Sequence, residues 1–293
     1  MASSLLQHFR SLAARFPRPG AAAGLLSLLL AVAASGAPAA GRATPLVVGD
    51  TFTMESAVLR ETRRINVYAP AGYAESTNTR LPVLYLPDGG IGEDFLHVAG
   101  LVQVSVGNGT MRPFLLVGIE NTERRRDLTG PTEKESDRKI APHVGGSGPF
   151  RQFLRQELMP FVDERYHTTT EKALVGESLA GLFVVETFLL EPDLFDTCIA
   201  FDPSLWWNDE KLVKGAGARL RAWQGPGKTL WFASSDEAGI IAPAGRLAEV
   251  LRRDAPPAVH WHYELMPEEK HSTIYHPAAL RAFRTLLKPK EGG

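Results

Sequence analysis

Apolar and polar positions alternate in a regular way between residues 45 and 288. Two early segments, residues 51–58 and 63–69, alternate with period two, which predicts an opening β-hairpin. Continuous apolar runs of strand length then follow at residues 81–86, 114–119, 173–176, 198–201, 229–233 and 259–265. Runs of this kind are typical of strands buried on both faces, so they predict a mostly parallel sheet.

Segments with helical periodicity lie between these runs. Helices are predicted over residues 150–162, 179–190, 243–253 and 276–287, with Pro243 and Pro277 near the starts of the last two. Strands that alternate with helices indicate an α/β fold. Residues 122–147 are polar, charged and rich in glycine, and a long irregular loop of this kind is typical of a functional or a disordered segment.

The first 39 residues differ from the rest of the chain. A basic segment is followed by an uncharged apolar run at residues 21–34 and by Ala37-Pro38-Ala39. This order is typical of a secretory signal peptide, and the apolar run is shorter than the roughly 20 residues that a spanning helix needs. We therefore predict a removed signal peptide at residues 1–39 and one domain at 40–293. The mature protein would be exported, periplasmic or secreted, without a membrane span; an uncleaved anchor is the alternative.

Composition narrows the function classes. The 293 residues include 32 Lys and Arg against 33 Asp and Glu, so the formal net charge is −1. Because positive charges are not in excess, the composition argues against a nucleic-acid partner. A hydrophobic fraction of 44% argues against disorder. Cys198 is the single cysteine, which excludes a disulfide framework and predicts a buried thiol. The sequence contains no pattern that indicates an oligomeric state.

The segment Gly176-Glu177-Ser178-Leu179-Ala180 joins a predicted strand to a predicted helix. A G-x-S-x-G elbow needs small residues beside the serine, because the turn is tight, and Ala180 replaces the second glycine of the pattern. We predict that Ser178 is a nucleophile. The alternative is a serine that only caps the following helix.

A serine nucleophile needs a base, which in elbow-type enzymes follows the last strand. His271 stands there, just before the final helix, and is the predicted base. His260 and His262 share one face of a strand and favour a structural role, although a metal pair is conceivable. His276 reads as a helix cap.

Two further components complete the predicted machinery. An acid should orient the imidazole from the turn after the strand at 229–233, where Asp236 and Glu237 are adjacent. The longer side chain slightly favours Glu237, and an enzyme without an acid is the alternative. The oxyanion would bind the amide of Leu179 and an amide from Gly89 or Gly90; a plain turn is the alternative for the glycine pair.

These motifs resemble the esterase branch of the α/β-hydrolase superfamily, and most of all its siderophore (enterobactin and bacillibactin) esterase-like group. The resemblance covers about residues 45–288 and is strongest at 121–129, 176–183, 202–208 and 271–277. It implies an α/β-hydrolase fold, a mostly parallel central sheet flanked by helices, with Ser178 and His271 as nucleophile and base. Some members of this branch use a serine–histidine pair alone. Asp202 stands where a serine is more usual.

Two clusters are candidates for substrate contacts. Trp206 and Trp207 follow a strand at the edge of the sheet where ligands bind in open α/β folds, so they predict an aromatic wall, with plain packing as the alternative. Arg124 and Arg126 predict a clamp for an anionic substrate. A solvated surface run is the alternative there, because acidic residues flank the arginines.

The sequence as a whole favours a serine esterase that needs no metal or cofactor and acts on a small-molecule ester, of siderophore type or another kind. An acyltransferase of the mycolyltransferase-like kind and a non-catalytic binding protein on the same fold are the alternatives.

Overall fold

The predicted alternation of strands and helices is found in a computed structural model of the chain, which describes residues 43–73, 76 and 78–290. The segment predicted as a signal peptide lies outside the described residues, so it stays a prediction. From Val47 onward the chain forms one compact unit. Within the described residues, no helix combines the length and apolar character needed to cross a membrane.

Eight strands form one sheet. In chain order they are β1 (Asp50–Ser56), β2 (Glu61–Tyr68), β3 (Leu81–Pro87), β4 (Leu115–Ile119), β5 (Thr168–Glu177), β6 (Thr197–Phe201), β7 (Lys228–Ser234) and β8 (Val259–Leu265). Their spatial order is β1-β2-β4-β3-β5-β6-β7-β8. The pairs β1–β2 and β2–β4 are antiparallel, and every later pair is parallel. The predicted hairpin and the predicted mostly parallel sheet are thus confirmed.

Helices connect the parallel strands. They are α1 (Phe95–Gly107), α2 (Arg124–Asp127), α3 (Glu135–Arg138), α4 (Ser147–Phe153), α5 (Met159–Arg165), α6 (Leu179–Leu190), α7 (Trp207–Arg221), α8 (Ala238–Asp254) and α9 (Tyr275–Leu286), with a π-helical turn at Leu154–Leu158 joining α4 to α5. Helix α6 has the predicted bounds. Pro243 lies inside α8, which begins at Ala238, so the predicted start at Pro243 is wrong.

Two apolar cores lie on the two faces of the sheet. One contains buried residues of α4 to α8, and the other contains those of α1 and α9. No helix is predicted from the sequence at α1, because its valines and glycines have low intrinsic helix propensity. Burial of Phe95, Val98 and Val102 in the second core offsets that low propensity.

Six parallel strands, β3 to β8, end at the same edge of the sheet. The turns after β3, β5, β6, β7 and β8 therefore meet there, as expected for the ligand-binding edge of an open α/β sheet. These turns contain Gly89, Ser178, Asp202, Ser235 and His271.

Candidate active site

Ser178 occupies a strained turn between β5 and α6. Its backbone has φ 61° and ψ −119°, which is costly for a residue with a side chain and recurs at functional sites. Small neighbours make the turn feasible: a Cβ on Gly176 would lie 2.8 Å from the backbone carbon of Ala180, and one on Gly181 would lie 2.9 Å from the carbonyl oxygen of Phe201. The Ser178 side chain makes no capping hydrogen bond to α6, which argues against the capping alternative.

His271 lies beside this serine. Its Nε2 is 3.0 Å from Ser178 Oγ, and its Nδ1 is 2.9 Å from Oδ2 of Asp202. The carboxylate fixes the ring proton on Nδ1, which leaves the Nε2 lone pair to accept the hydroxyl proton. Two of the three competing histidines have side-chain contacts elsewhere. His276 hydrogen-bonds His97, and the ring of His262 stacks on Trp231.

The carboxylate at Nδ1 belongs to Asp202 and not to the predicted Asp236 or Glu237, which is a correction. Asp236 forms an ion pair with Lys270 at 2.6 Å, and Glu237 accepts a hydrogen bond only from the backbone N–H of His271, at 3.2 Å. Asp202 is the first residue after β6, with φ 41°, and this turn brings its side chain under the imidazole.

Asp202 is fully buried and held from a second side. Its Oδ1 accepts the backbone N–H of Ser235 at 2.5 Å, and its Oδ2 accepts the Ser235 hydroxyl at 2.7 Å. The turn after β7 therefore supports Asp202 and does not itself supply the carboxylate at Nδ1. A sequence signal was present, because Asp202 departs from the serine that is more usual at this position in the esterase branch.

Charges around the imidazole favour its protonated form. The hydrogen bond to Asp202 raises the pKa of His271; burial opposes this, and the carboxylates of Glu177 and Glu237 add to the rise. A raised pKa suits a base that must hold a proton during a reaction.

Glu177 is an unforeseen member of the site. Its Oε1 lies 3.3 Å from Nε2 of His271, and this oxygen is buried without a hydrogen-bond partner among the described residues. Burial raises the pKa of Glu177 to about 8, although the nearby charges of His271 and Arg124 act to lower it. The elbow motif leaves this position variable, so no sequence signal indicated its contact with the histidine.

The predicted oxyanion donors differ in availability. Leu179 is the first residue of α6, so its N–H has no partner within the helix. The Gly89 N–H donates to the carbonyl of Ile119 at 2.9 Å, just beyond the end of β3, which is a correction to its predicted role. The Gly90 N–H donates to Oε2 of Glu93 at 2.7 Å, so it is free for another acceptor only when that carboxylate moves away.

The two arginines have different surroundings. Arg124 donates from Nε and Nη2 to the two carboxylate oxygens of Asp88, at 2.8 and 2.7 Å, and no hydrogen bond within the described residues uses its Nη1. Arg126 is held by Glu61 at 2.7 Å and by Asp127 at 2.7 Å, so its guanidinium belongs to a structural network, a correction to its predicted place in a substrate clamp.

The two tryptophans differ in burial. Trp207 is buried, and its indole N–H donates to the carbonyl of Gly130 at 2.8 Å, which supports the packing alternative. Trp206 is 38% exposed. The Ser204 N–H donates to the carbonyl of Ser178 at 3.0 Å, so the turn that leads to Trp206 begins against the nucleophile.

Solved structures share this architecture. An IroE-like serine hydrolase from Shewanella oneidensis superposes with a TM-score of 0.74 at 28% identity, over 82% of this chain and 80% of that one. The siderophore hydrolase EstB from Aspergillus nidulans superposes with a TM-score of 0.70 over 85% of this chain and 97% of that one, at 20% identity. The predicted α/β-hydrolase fold is confirmed.

Sequence relatives match a shorter stretch. Ferri-bacillibactin esterase BesA of Bacillus subtilis is 32% identical over 166 residues, which cover 50% of this chain and 52% of that protein. A siderophore enterobactin esterase of Emericella nidulans is 31% identical over 133 residues, covering 41% and 44%. The chain thus spans about half the length of these curated relatives. Residues 56–275 match the family described as "Putative esterase", and the chain belongs to that family.

Proposed function

We propose that the chain is a serine esterase that hydrolyses carboxylic esters through an acyl-enzyme, with Ser178, His271 and Asp202 as its catalytic triad. The observation that carries this proposal is the continuous chain of hydrogen bonds from Ser178 Oγ through the imidazole to Asp202. The strained serine backbone at the sheet edge supports it.

Each side chain has a defined task in the proposed reaction. Ser178 Oγ attacks the ester carbonyl while Nε2 of His271 takes its proton, and Asp202 stabilises the resulting imidazolium. Collapse of the tetrahedral intermediate breaks the bond to the leaving alkoxide, which receives the proton from Nε2. Water then enters, Nε2 takes one of its protons, and the water oxygen attacks the acyl carbonyl. Collapse of this second intermediate breaks the bond to Ser178 Oγ, which receives the proton from Nε2, and the acyl group leaves as a carboxylic acid.

The oxyanion would bind the N–H of Leu179 and, after Glu93 withdraws, the N–H of Gly90. Both groups follow strands that end at this edge of the sheet. Two amide donors of this kind are the usual device for a tetrahedral oxyanion in acyl transfer. Gly89 contributes by close approach to Gly118 and Ile119, because a Cβ there would lie 2.3 Å from their backbone atoms.

The proposed substrate is a small-molecule ester, with a siderophore ester as the first choice. The relatives named as siderophore esterases support this choice. Trp206 offers an exposed aromatic face for an aryl acyl group, and Nη1 of Arg124 offers a donor that Asp88 holds in place. The predicted signal peptide supports export, to the periplasm or the medium, as the place of action.

The test is labelling with a fluorophosphonate probe, comparing the natural chain with Ser178→Ala. We expect covalent labelling that the substitution abolishes, and labelling that persists in Ser178→Ala would contradict the proposal. A panel of esters, including a catecholate trilactone with and without iron, then identifies the substrate. Product analysis with an added alcohol acceptor separates hydrolysis from acyl transfer.

A further inference from the structure

Glu177 has no task in the mechanism above, yet it touches the catalytic base. Its side chain is 16% exposed, and its Oε1 points at Nε2 of His271 from 3.3 Å. Ser178 Oγ approaches the same nitrogen at 3.0 Å. Nε2 therefore faces two oxygen atoms, of which the mechanism uses one.

This contact places two electron-rich atoms against each other. In the neutral imidazole, Asp202 holds the ring proton on Nδ1, so Nε2 presents a lone pair toward Oε1 of Glu177. Oε1 is buried and has no hydrogen-bond donor among the described residues, and an unpartnered buried carboxylate oxygen is costly. A cation between the two atoms satisfies both; a proton is one such cation and a metal ion is another.

The spacing fits a transition metal. Zn–N and Zn–O bonds of about 2.0–2.2 Å at a tetrahedral angle separate the two ligand atoms by about 3.4 Å. The observed Nε2–Oε1 distance is 3.3 Å. Asp202 already occupies the position of the outer carboxylate that orients a metal-binding histidine through its other nitrogen. In the described part of the chain, possible ligand atoms of Glu177, Asp202 and His271 lie within 4.8 Å of one another, and the contact of Asp202 with Nδ1 leaves Glu177 and His271 as the direct ligands.

We propose that Oε1 of Glu177 and Nε2 of His271 bind a divalent transition-metal ion of the Zn²⁺ class, which displaces Ser178 from the imidazole and reversibly inhibits the enzyme. Ser178 Oγ or water completes the coordination. The metal takes the Nε2 lone pair, so no base remains for the serine hydroxyl proton. Mg²⁺ is expected not to compete, because it prefers six oxygen ligands and dehydrates reluctantly.

Direct titration with ZnCl₂ tests the binding. Calorimetry on the full chain compares the natural protein with Glu177→Gln, which keeps the shape of the side chain, and with Asp236→Asn, which removes a carboxylate that pairs with Lys270. We expect Zn²⁺ to bind at least tenfold more weakly to Glu177→Gln, with Asp236→Asn within twofold of the natural protein. Equal affinity in Glu177→Gln and the natural protein would overturn the proposal, as would the absence of Zn²⁺ binding to the natural protein.

Inhibition is measured separately, because only this consequence rests on the proposed function. Zn²⁺ should slow fluorophosphonate labelling and ester hydrolysis in the natural protein, EDTA should restore both, and Glu177→Gln should need at least tenfold more Zn²⁺. Zn²⁺ binding without any esterase activity would refute the proposed function and leave the metal site standing. Circular dichroism checks folding; if Glu177→Gln is unfolded, Glu177→Asp, which withdraws the carboxylate, takes its place with the same expectation.

Discussion

Asp202 and His271 meet through a 2.9 Å contact between Oδ2 and Nδ1, although 69 positions separate them in the chain. Asp202 follows the end of β6, next to strand β5 that leads to Ser178, and His271 lies in the loop after β8. The turn after β7, where the sequence favoured an acid, contributes Ser235 as a donor to Asp202.

Replacing Asp202 by asparagine should reduce kcat for an ester substrate by about 10²–10⁴-fold, because an amide no longer fixes the productive tautomer or stabilises the imidazolium. Steady-state kinetics provide the measurement. Asp236→Asn is the matched control and should keep kcat within about threefold, since its side chain is 38% exposed and its carboxylate pairs with Lys270. If Asp236→Asn shows the larger loss, Asp202 is not the catalytic acid.

The pH dependence of kcat/KM should report the base. His271 must be neutral to accept the serine proton, and its hydrogen bond to Asp202 raises its pKa, so the rate should rise with pH through a midpoint above 6.5. Asp202→Asn removes the principal cause of the rise, and the midpoint should shift to lower pH. The profiles are measured in buffer containing a metal chelator. An unchanged midpoint in Asp202→Asn would argue against this coupling.

A buried cation should make Asp127 important for stability. Arg63 is fully buried and donates to Oδ2 of Asp127 at 2.6 Å and to Oε1 of Glu61 at 2.8 Å, so Asp127→Ala removes its buried partner and leaves only the partly exposed carboxylate of Glu61 within this pair of acids. We expect the free energy of unfolding, measured in urea, to fall by about 1–3 kcal/mol. Glu135→Ala breaks the exposed pair with Lys139 and should cost less than about 1 kcal/mol. Similar losses in both variants would refute this account.

The elbow should not tolerate a side chain at Gly181. A Cβ there would lie 2.9 Å from the carbonyl oxygen of Phe201 and 3.1 Å from Cα of Pro203, both backbone atoms beside Asp202. Gly181→Ala should therefore lower the free energy of unfolding by about 1–3 kcal/mol and reduce kcat by displacing the acid. Gly100→Ala in α1 meets no atom within 4 Å and should stabilise the helix by up to about 1 kcal/mol. Thermal melts measure the stability of both variants, and steady-state kinetics measure their kcat.

The sequence predicted the fold, and it also predicted that Ser178 and His271 lie side by side, for identifiable reasons. Buried parallel strands leave continuous apolar runs, and the elbow at Ser178 requires small neighbours, so both have local signatures. Which carboxylate contacts His271 depends on which strand ends lie side by side and on the positive φ of Asp202. The local spacing of residues in the sequence indicates neither of these. The engagement of Arg126 by Glu61, and of the Gly90 amide by Glu93, likewise arises only from tertiary contacts.

The position of Asp202 also determines which member of the proposed triad can be displaced separately from the others. Ser178 and the β6 end are joined by two backbone hydrogen bonds, from the Ser178 N–H to Phe201 and from the Ser204 N–H to Ser178. In the proposed triad, Ser178 and Asp202 therefore lie on turns that are hydrogen-bonded directly to each other, and His271 comes from a separate loop. Displacing the His271 loop would remove the proposed base and leave Ser178 and Asp202 in place.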